Sequence, residues 1–381
     1  MVITSPTDMT LKNRKKLFDC NDIYNIKETH DLFLLAMQEV VEYHIKNCNF
    51  YQKMLQRDLF DPKALQTSRG LEKLPVLHAN FFKTHELLSI PKDAVTLHLT
   101  SSGTSGQKSQ MFFDKESWDA GETMVRNTMD AIGFISKQQT NYLLYTYEST
   151  SQSNLGTAHT DLLLTSFAPA NRIVFALLSN GTGHDFDIHG CIRALYEFEK
   201  ENLPVRILGF PSFLYFTLKK MRERNLAPIK LPPGSSMLLG GGWKGQAHQQ
   251  ISKKELYHMV QEQLGIQNEL CRDGYGSVEH SVPYIECKNH HFHVPIWSRV
   301  IIRDVKTLNV LGYHQPGFLN FVSPHLLSVP AVSVLMNDLA TLHPPDQCGC
   351  GIPTPYFKVL GRAGTSISKS CAVSASELLG R

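Results

Sequence analysis

Residues 99–109 read Leu-Thr-Ser-Ser-Gly-Thr-Ser-Gly-Gln-Lys-Ser (LTSSGTSGQKS). Small hydroxyl side chains crowd around Gly103 and Gly106, and Lys108 is the one cation. The stretch is not a Walker P-loop: Gly103 and Gly106 stand too close, and Gln107 occupies the place of that motif's lysine. Its chemistry nevertheless suits phosphate. Glycines let backbone approach closely, hydroxyls and N–H groups donate, and Lys108 supplies a point charge. The preceding segment TLHLT (96–100) is strand-like, which places the loop at a sheet edge, where α/β folds bind ligands. Composition alone also fits a polar solvent loop.

Outward from this loop the chain alternates. NYLLYTY (141–147), RIVFALL (172–178), VRILGF (205–210) and SSMLLGG (235–241) are short apolar, strand-like runs. Helix-like stretches separate them, among them SFLYFTLKKMRERN (212–225) and SKKELYHMVQEQL (252–264). The latter opens on a capping box, Ser252 with Glu255, and stops at Gly265. Such alternation predicts an α/β core with a largely parallel sheet. Before residue 95 the pattern is mostly helical. Residues 31–46 place Phe33, Met37, Val40, Val41 and His44 on one side of a helix, with Asp31 as its cap. Beyond residue 295, IWSRVIIRDV, GFLNFVS, SVLMNDLATL and YFKVLGRAG read as shorter strands of a second β subdomain.

With 381 residues the chain can bury one large core and one or two smaller appendages. A net charge of +3 gives no reason to expect nucleic acid, and the basic run Asn13–Lys16 reads as a solvated face. No apolar run is long enough to span a membrane, and the first residues lack the apolar region of a secretory signal, so a cytoplasmic protein is expected. Eight scattered cysteines, with one close pair at Cys348 and Cys350, then suggest reduced thiols and a metal, not a disulfide framework. Cys287 and a run of histidines at 290, 291 and 293 precede that pair. A tetrahedral Cys₃His zinc site from Cys287, His293, Cys348 and Cys350 is the preferred set, structural because protein fills all four places. Free thiols are the alternative.

Two more glycine-rich segments bear on nucleotides. Gly240-Gly241-Gly242-Trp243-Lys244-Gly245 formally satisfies the dinucleotide pattern between a strand and a capped helix. No clear acidic partner follows at the expected distance, and Trp243 and Lys244 would crowd a pyrophosphate, so a nucleotide base packed on this loop is preferred. Asp273-Gly274-Tyr275-Gly276-Ser277-Val278-Glu279-His280 sets an aromatic ring beside a carboxylate: Tyr275 can stack on a purine and Glu279 can hold Mg²⁺.

The order TSSGTSGQKS, LLGGGWK, YGSVEH resembles the adenylate-forming superfamily, and the likeness continues with Asp338 in SVLMNDLATL and Gly361-Arg362 in KVLGRAG. It is closer still to the LuxE-type acyl-protein synthetase family, related to the phenylacetate-CoA ligases. LPVLHANFFKTHELL (74–88), ILGFPSFLYF, HVPIWSR and the ending SCAVSASELL carry that resemblance over most of the chain beyond about residue 70. The implied fold is α/β, like the N-terminal domain of adenylate-forming enzymes. It has mixed sheets with flanking helices and a small β subdomain, and lacks the full mobile C-terminal domain. The expected organisation is a mostly helical segment 1–95, an adenylating domain 96–360 and a tail 361–381. Only 19 residues follow Arg362, leaving no place for the mobile domain's catalytic lysine.

The resemblance implies roles as well. Ser101, Ser102, Gly103, Thr104, Ser105, Gly106 and Lys108 would cradle the phosphates of ATP. Gly240, Gly241 and Gly242 would line the adenine pocket with Gly276, and Tyr275 would pack on the base or the acyl chain. Glu279 would hold Mg²⁺, Asp338 would accept the ribose hydroxyls, and Arg362 would lie at the hinge. Cys371 would take the acyl group from the adenylate and pass it to a partner such as an acyl reductase. The implied reaction is ATP-dependent activation of a carboxylic acid, most simply a fatty acid, as in bioluminescence-related acyl-protein synthetases. From the residues themselves, Phe210, Phe213 and Phe216 would wall the acyl pocket or be plain core. The rival readings are an acyl- or aryl-CoA ligase of the phenylacetate type, a non-catalytic nucleotide-binding subunit and, more distantly, a nicotinamide enzyme.

Overall fold

Apolar runs without polar alternation need cover on both faces, and parallel strands between helices provide it. The structure is a computed structural model describing residues 11–100, 109–148, 163–243 and 245–363. The chain divides into two units: Met1–Thr128, Gly276–Tyr284 and His291–Arg381 form the first, Met129–Tyr275 and Ile285–His290 the second. In chain order the strands are β1 (Leu77–His78), β2 (Leu97–Thr100), β3 (Gln110–Phe113), β4 (Thr140–Tyr147), β5 (Ala170–Ser179), β6 (His184–Phe186), β7 (Val205–Gly209), β8 (Ser236–Leu239), β9 (Cys271–Tyr275), β10 (Tyr284–Ile285), β11 (Phe292–His293), β12 (Arg299–Arg303), β13 (Val310–Leu311), β14 (Gly317–Val322), β15 (Ser333–His343) and β16 (Tyr356–Arg362). Among the described residues no helix is long and apolar enough to cross a membrane.

In the second unit the sheet runs β9-β8-β7-β4-β5-β6. The pairs β4–β5, β4–β7, β7–β8 and β8–β9 are parallel, and β6 returns antiparallel on β5. Chain order reverses at β4, so the crevice beside its carboxyl end is the topological switch point. Helices Ile188–Glu201, Pro211–Glu223 and Lys253–Leu264 bury Leu195, Leu214, Leu218 and Val260 in one core with Leu143, Ile207 and Met237 from the strands. The helix at 253–264 is capped as its sequence requires: Ser252 Oγ accepts from Glu255 N at 3.2 Å, and Gly265 closes it at φ 69°.

The first unit is built on a mostly antiparallel sheet in the order β11-β16-β15-β14-β12-β13, with β1 parallel on β15. Its helix His30–Asn47 buries Phe33, Met37, Val40, Val41 and His44. The cap position falls on Thr29 and not Asp31, which stands in the first turn, where a carboxylate still opposes the helix dipole. Arg14 departs from the reading of 13–16 as a solvated face. It is buried, donating to Pro324 O (2.9 Å), His325 O (2.5 Å) and Glu116 Oε1 (2.6 Å), while Lys15 and Lys16 are exposed. The segment 97–100 also differs from expectation. It pairs antiparallel with β3 in a separate two-stranded hairpin and not with the parallel core. The few residues between them are too few for a parallel crossover, which needs a dozen or more.

Candidate functional site

Glycines shape the carboxyl edge of the second unit's sheet. Gly209 ends β7 at φ 116°, and a β-carbon there would sit 2.5 Å from the Tyr145 carbonyl oxygen, so only glycine fits. The backbone stays close as a result: Phe210 N donates to Tyr145 O and Gly240 N to Gly209 O, each at 3.0 Å. Gly240, Gly241 and Gly242 follow β8, the last two at φ 75° and 69°, and open space surrounds Gly242. Tyr275 ends the neighbouring β9 half-buried. The second and third glycine clusters of the sequence therefore meet at one edge. Trp243 packs at 5.4 Å on Tyr215, and Phe210 joins a chain of rings with Tyr147 (5.5 Å) and Phe213 (6.3 Å). Phe216 rests on Tyr215.

Below Tyr275 lies a charged network that sequence reasoning missed. Glu286 is buried and accepts from Lys253 Nζ (2.8 Å), Tyr257 Oη (2.8 Å) and Asp273 N (2.8 Å), while Lys253 also pairs with Asp273 at 2.6 Å. Burial opposes the charge on Glu286, yet nearby His290 and the Lys253 ammonium outweigh it and hold the carboxyl below its usual range. Burial pushes Asp273 the other way, up. The three charges are far apart in sequence, with no spacing that announces them. They lock β9 to the helix at 253–264 and so fix the strand that presents Tyr275.

In the first unit Glu279 sits buried on a turn closed by Ser281 N donating to Ser277 O at 2.8 Å. Its neighbour His280 stacks on Phe321 at 4.3 Å and bonds through Nε2 to Tyr284 Oη (2.9 Å), which in turn meets Ser298 Oγ (2.6 Å). Burial, with a lesser push from His325, drives the His280 pKa well down and keeps the ring neutral. Mg²⁺ keeps several waters and takes one or two carboxylates beside phosphate oxygens, a set to which Glu279 would contribute one. Asp338 on β15 lies directly opposite Arg362 on β16, and a register shift between Leu339 and Ala340 bulges the ladder beside them. Gly361 faces Leu339 in the same ladder, and Gly276 opens the turn that carries Glu279. The hairpin β2–β3, paired through Thr100 and Gln110, brackets the phosphate-loop candidates. Ser101, Ser102, Gly103, Thr104, Ser105, Gly106 and Lys108 lie outside the described residues, as does Cys371.

A Cys/His cluster stands apart from these groups. His293 Nδ1 donates to Thr354 O at 2.8 Å, which fixes the tautomer and leaves Nε2 as a ligand. That Nε2 is 3.1 Å from Cys348 Sγ and 3.2 Å from Cys350 Sγ. Gly349 and Gly351 turn the short Cys-Gly-Cys-Gly run at φ 71° and 97°. Backbone N–H groups point at sulfur two residues upstream, from Ile352 to Cys350 and from Asn289 to Cys287, each at 3.4 Å. The ligand atoms of Cys287, His293, Cys348 and Cys350 all lie within 4.8 Å of one another. Ligand atoms about 3.5 Å apart are what a tetrahedral zinc with bonds of about 2.1–2.3 Å requires, so the donor set fits zinc. His291 Nδ1 also reaches Cys348 Sγ at 3.1 Å, and its ring lies on Tyr356 at 4.2 Å.

Comparison with known proteins places this geometry. The profile of the family described as acyl-protein synthetase, LuxE, matches residues 16–380 and so takes in the N-terminal helices as well. The long-chain-fatty-acid–luciferin-component ligase of Vibrio harveyi is 23% identical over 355 residues, covering 93% of this chain and 90% of that one. The protein of the same name from Aliivibrio fischeri is 21% identical over 315 residues, covering 81% and 79%. Among solved structures, an open conformation of 2-hydroxyisobutyryl-CoA ligase superposes with a TM-score of 0.67 at 15% identity, over 93% of this chain and 80% of that one. At that identity the likeness speaks for the fold, which is that of an adenylate-forming ligase. Through the match from residue 16 to residue 380, the chain belongs to the LuxE acyl-protein synthetase family and is a ligase.

Proposed function

We propose that this chain activates a carboxylic acid, a long-chain fatty acid first of all, as its acyl adenylate, and then carries the acyl group on Cys371 to an acceptor. The match of the LuxE family profile from residue 16 to residue 380 carries this reading. Relatives named as long-chain-fatty-acid ligases, similar along most of their length, support the acid class.

In the first step a carboxylate oxygen of the substrate attacks the α-phosphorus of ATP. The bond to the bridging oxygen breaks, and pyrophosphate leaves. Ser101, Ser102, Thr104 and Lys108 would grip the phosphates, Lys108 offsetting the charge that spreads onto the leaving group. Gly240–Gly242 and Tyr275 would seat the base, Asp338 would accept the ribose hydroxyls, and Arg362 would face it across the ladder. Magnesium held by Glu279 would supply further countercharge. In the second step the Cys371 thiolate attacks the acyl carbonyl, the bond to the phosphate oxygen breaks, and AMP departs. The anhydride is already activated, so the thiol needs placement more than strong deprotonation. The acceptor is a partner protein such as an acyl reductase. Zinc on Cys287, His293, Cys348 and Cys350 would be structural.

The test is incubation with ATP, Mg²⁺ and a panel of acids, read by intact-protein mass. The expected result is a gain of one acyl group on the peptide holding Cys371, absent from Cys371→Ala. The second reading, an acyl- or aryl-CoA ligase, is kept because the fold is shared with a CoA ligase. Coenzyme A consumed at an undiminished rate by Cys371→Ala would select it.

A further inference from the structure

The amino-terminal edge of the second unit's sheet, opposite the glycine edge, holds a cavity of about 250 Å³. Its wall comes from the starts of the parallel strands: Thr140 begins β4, Arg206 is second in β7, Ser236 begins β8 and Arg272 is second in β9. Register sets Arg206 beside Ser236, and Leu238 beside Arg272, so the two arginines belong to the same end of the strands that flank β8. Ser136, Gln138 and the turn around Gly133 and Gly234 complete it. Two guanidinium groups contribute to this wall, and no aspartate or glutamate does.

Arg206 carries the inference. It is 96% buried (4% exposed), yet its hydrogen-bond partners are neutral: Tyr142 Oη at 3.1 Å and the Phe134 carbonyl. Its guanidinium also lies over the Phe134 ring at 4.1 Å. Tyr142 Oη in turn donates to Ala168 O, so the arrangement is aligned to present a cation and not to neutralise one. A buried charge is costly unless something of opposite sign meets it. Of the five donors on a guanidinium, two are used by these partners, and the planar group suits oxyanions. The cavity lies below the range of about 300–1,000 Å³ that drug-sized ligands occupy, which excludes a nucleotide.

We propose that this cavity is a binding site for a small phosphate-class oxyanion, separate from the nucleotide edge by the length of the strands. Arg206 to Gly209 alone spans about 10 Å. The ligand would sit against Arg206, with Ser236 and Gln138 as neutral donors, while Arg272, whose Nη1 donates to Glu286 O at 2.7 Å, adds positive charge from the wall.

The experiment is calorimetric titration of the full chain with inorganic phosphate in chloride buffer of constant ionic strength, repeated with a saturating non-hydrolysable ATP analogue and with acetate in place of phosphate. Binding that persists beside the ATP analogue is expected, with acetate weaker by about tenfold or more, because a dianion meets two guanidinium groups. Gln138→Glu puts a carboxylate into an exposed part of the wall without touching the core, and should weaken phosphate about tenfold or more. Arg206→Met should abolish it. If that variant fails to fold, Gln138→Glu decides. Phosphate heat that vanishes with the ATP analogue, equal affinity for acetate, or unchanged affinity in Gln138→Glu would each overturn the site. The readout needs no catalysis, so its failure is distinct from failure of the proposed activity.

Discussion

The two units present their candidate groups in different ways. The parallel sheet of the second shapes its edge with backbone: Gly209, Gly240, Gly241 and Gly242 keep the chain close there, and aromatic rings such as Phe210, Trp243 and Tyr275 stand beside them. The antiparallel sheet of the first offers side chains: Asp338 against Arg362, Glu279 on its turn, and His293 with Cys348 and Cys350. A shape read by backbone tolerates no β-carbon at Gly209, whereas a site read by side chains depends on single functional groups. The units also bury charge differently. The first hides neutral histidines, His44 and His325 among them, while among the described residues the second buries no histidine and instead hides Arg206 and Glu286, the latter paired with the more exposed Lys253.

Acid should break this symmetry first, and most strongly. Burial lowers His44 from 6.5 to about 3, with Arg14 pressing the same way, and lowers His325 to about 4. His44 accepts from Ser89 Oγ at Nδ1 (2.7 Å) and donates to Leu326 O through Nε2 (3.1 Å), so the neutral ring is the one that fits. The unfolded chain gains protons below about pH 6.5 that the folded one refuses, so stability falls as pH drops from there toward 3, by about 1.4 kcal/mol for each unit of separation. Hydrogen exchange at about pH 5 should therefore show helix 30–47 and residues 324–327 losing protection well before β7 and β8. Uniform loss along the chain would erase the contrast.

Removing metal is the next lever. Chelation of zinc-loaded protein should cost about 3 kcal/mol at a metal concentration some hundredfold above Kd, seen as a lower Tm. Cys348→Ser should melt at that lower temperature and ignore the chelator. A chelator that leaves Tm unchanged in protein shown to contain zinc would remove its structural role.

The smallest effect sharpens the distinction between backbone and side chain. Asp338→Ala should raise KM for ATP about ten- to a hundredfold, the worth of hydrogen bonds to a charged group, while leaving Tm nearly unaltered. Equal loss of Tm and activity would make Asp338 a structural residue.

Much of this was legible beforehand. Runs such as NYLLYTY and VRILGF announce buried parallel strands, the glycines after them mark the edge, and Ser252 and Gly265 bound a helix by local rules alone. The gathering of Cys287, His293, Cys348 and Cys350 could be anticipated because residue types that bind metal are few in kind. What stayed hidden depends on partners distant in sequence. The pairing of 97–100 with β3, the burial of Arg14 on Pro324 and His325, the Lys253–Asp273–Glu286 network and the cavity at Arg206 are all set by tertiary packing, which no local period encodes.

Acid-dependent exchange of labelled pyrophosphate into ATP measures the central claim without waiting for any acceptor. Exchange with long-chain fatty acid present, none without acid, and the same rate in Cys371→Ala is the predicted outcome. No exchange with any fatty or aromatic acid, in protein that is folded and binds ATP, would contradict it.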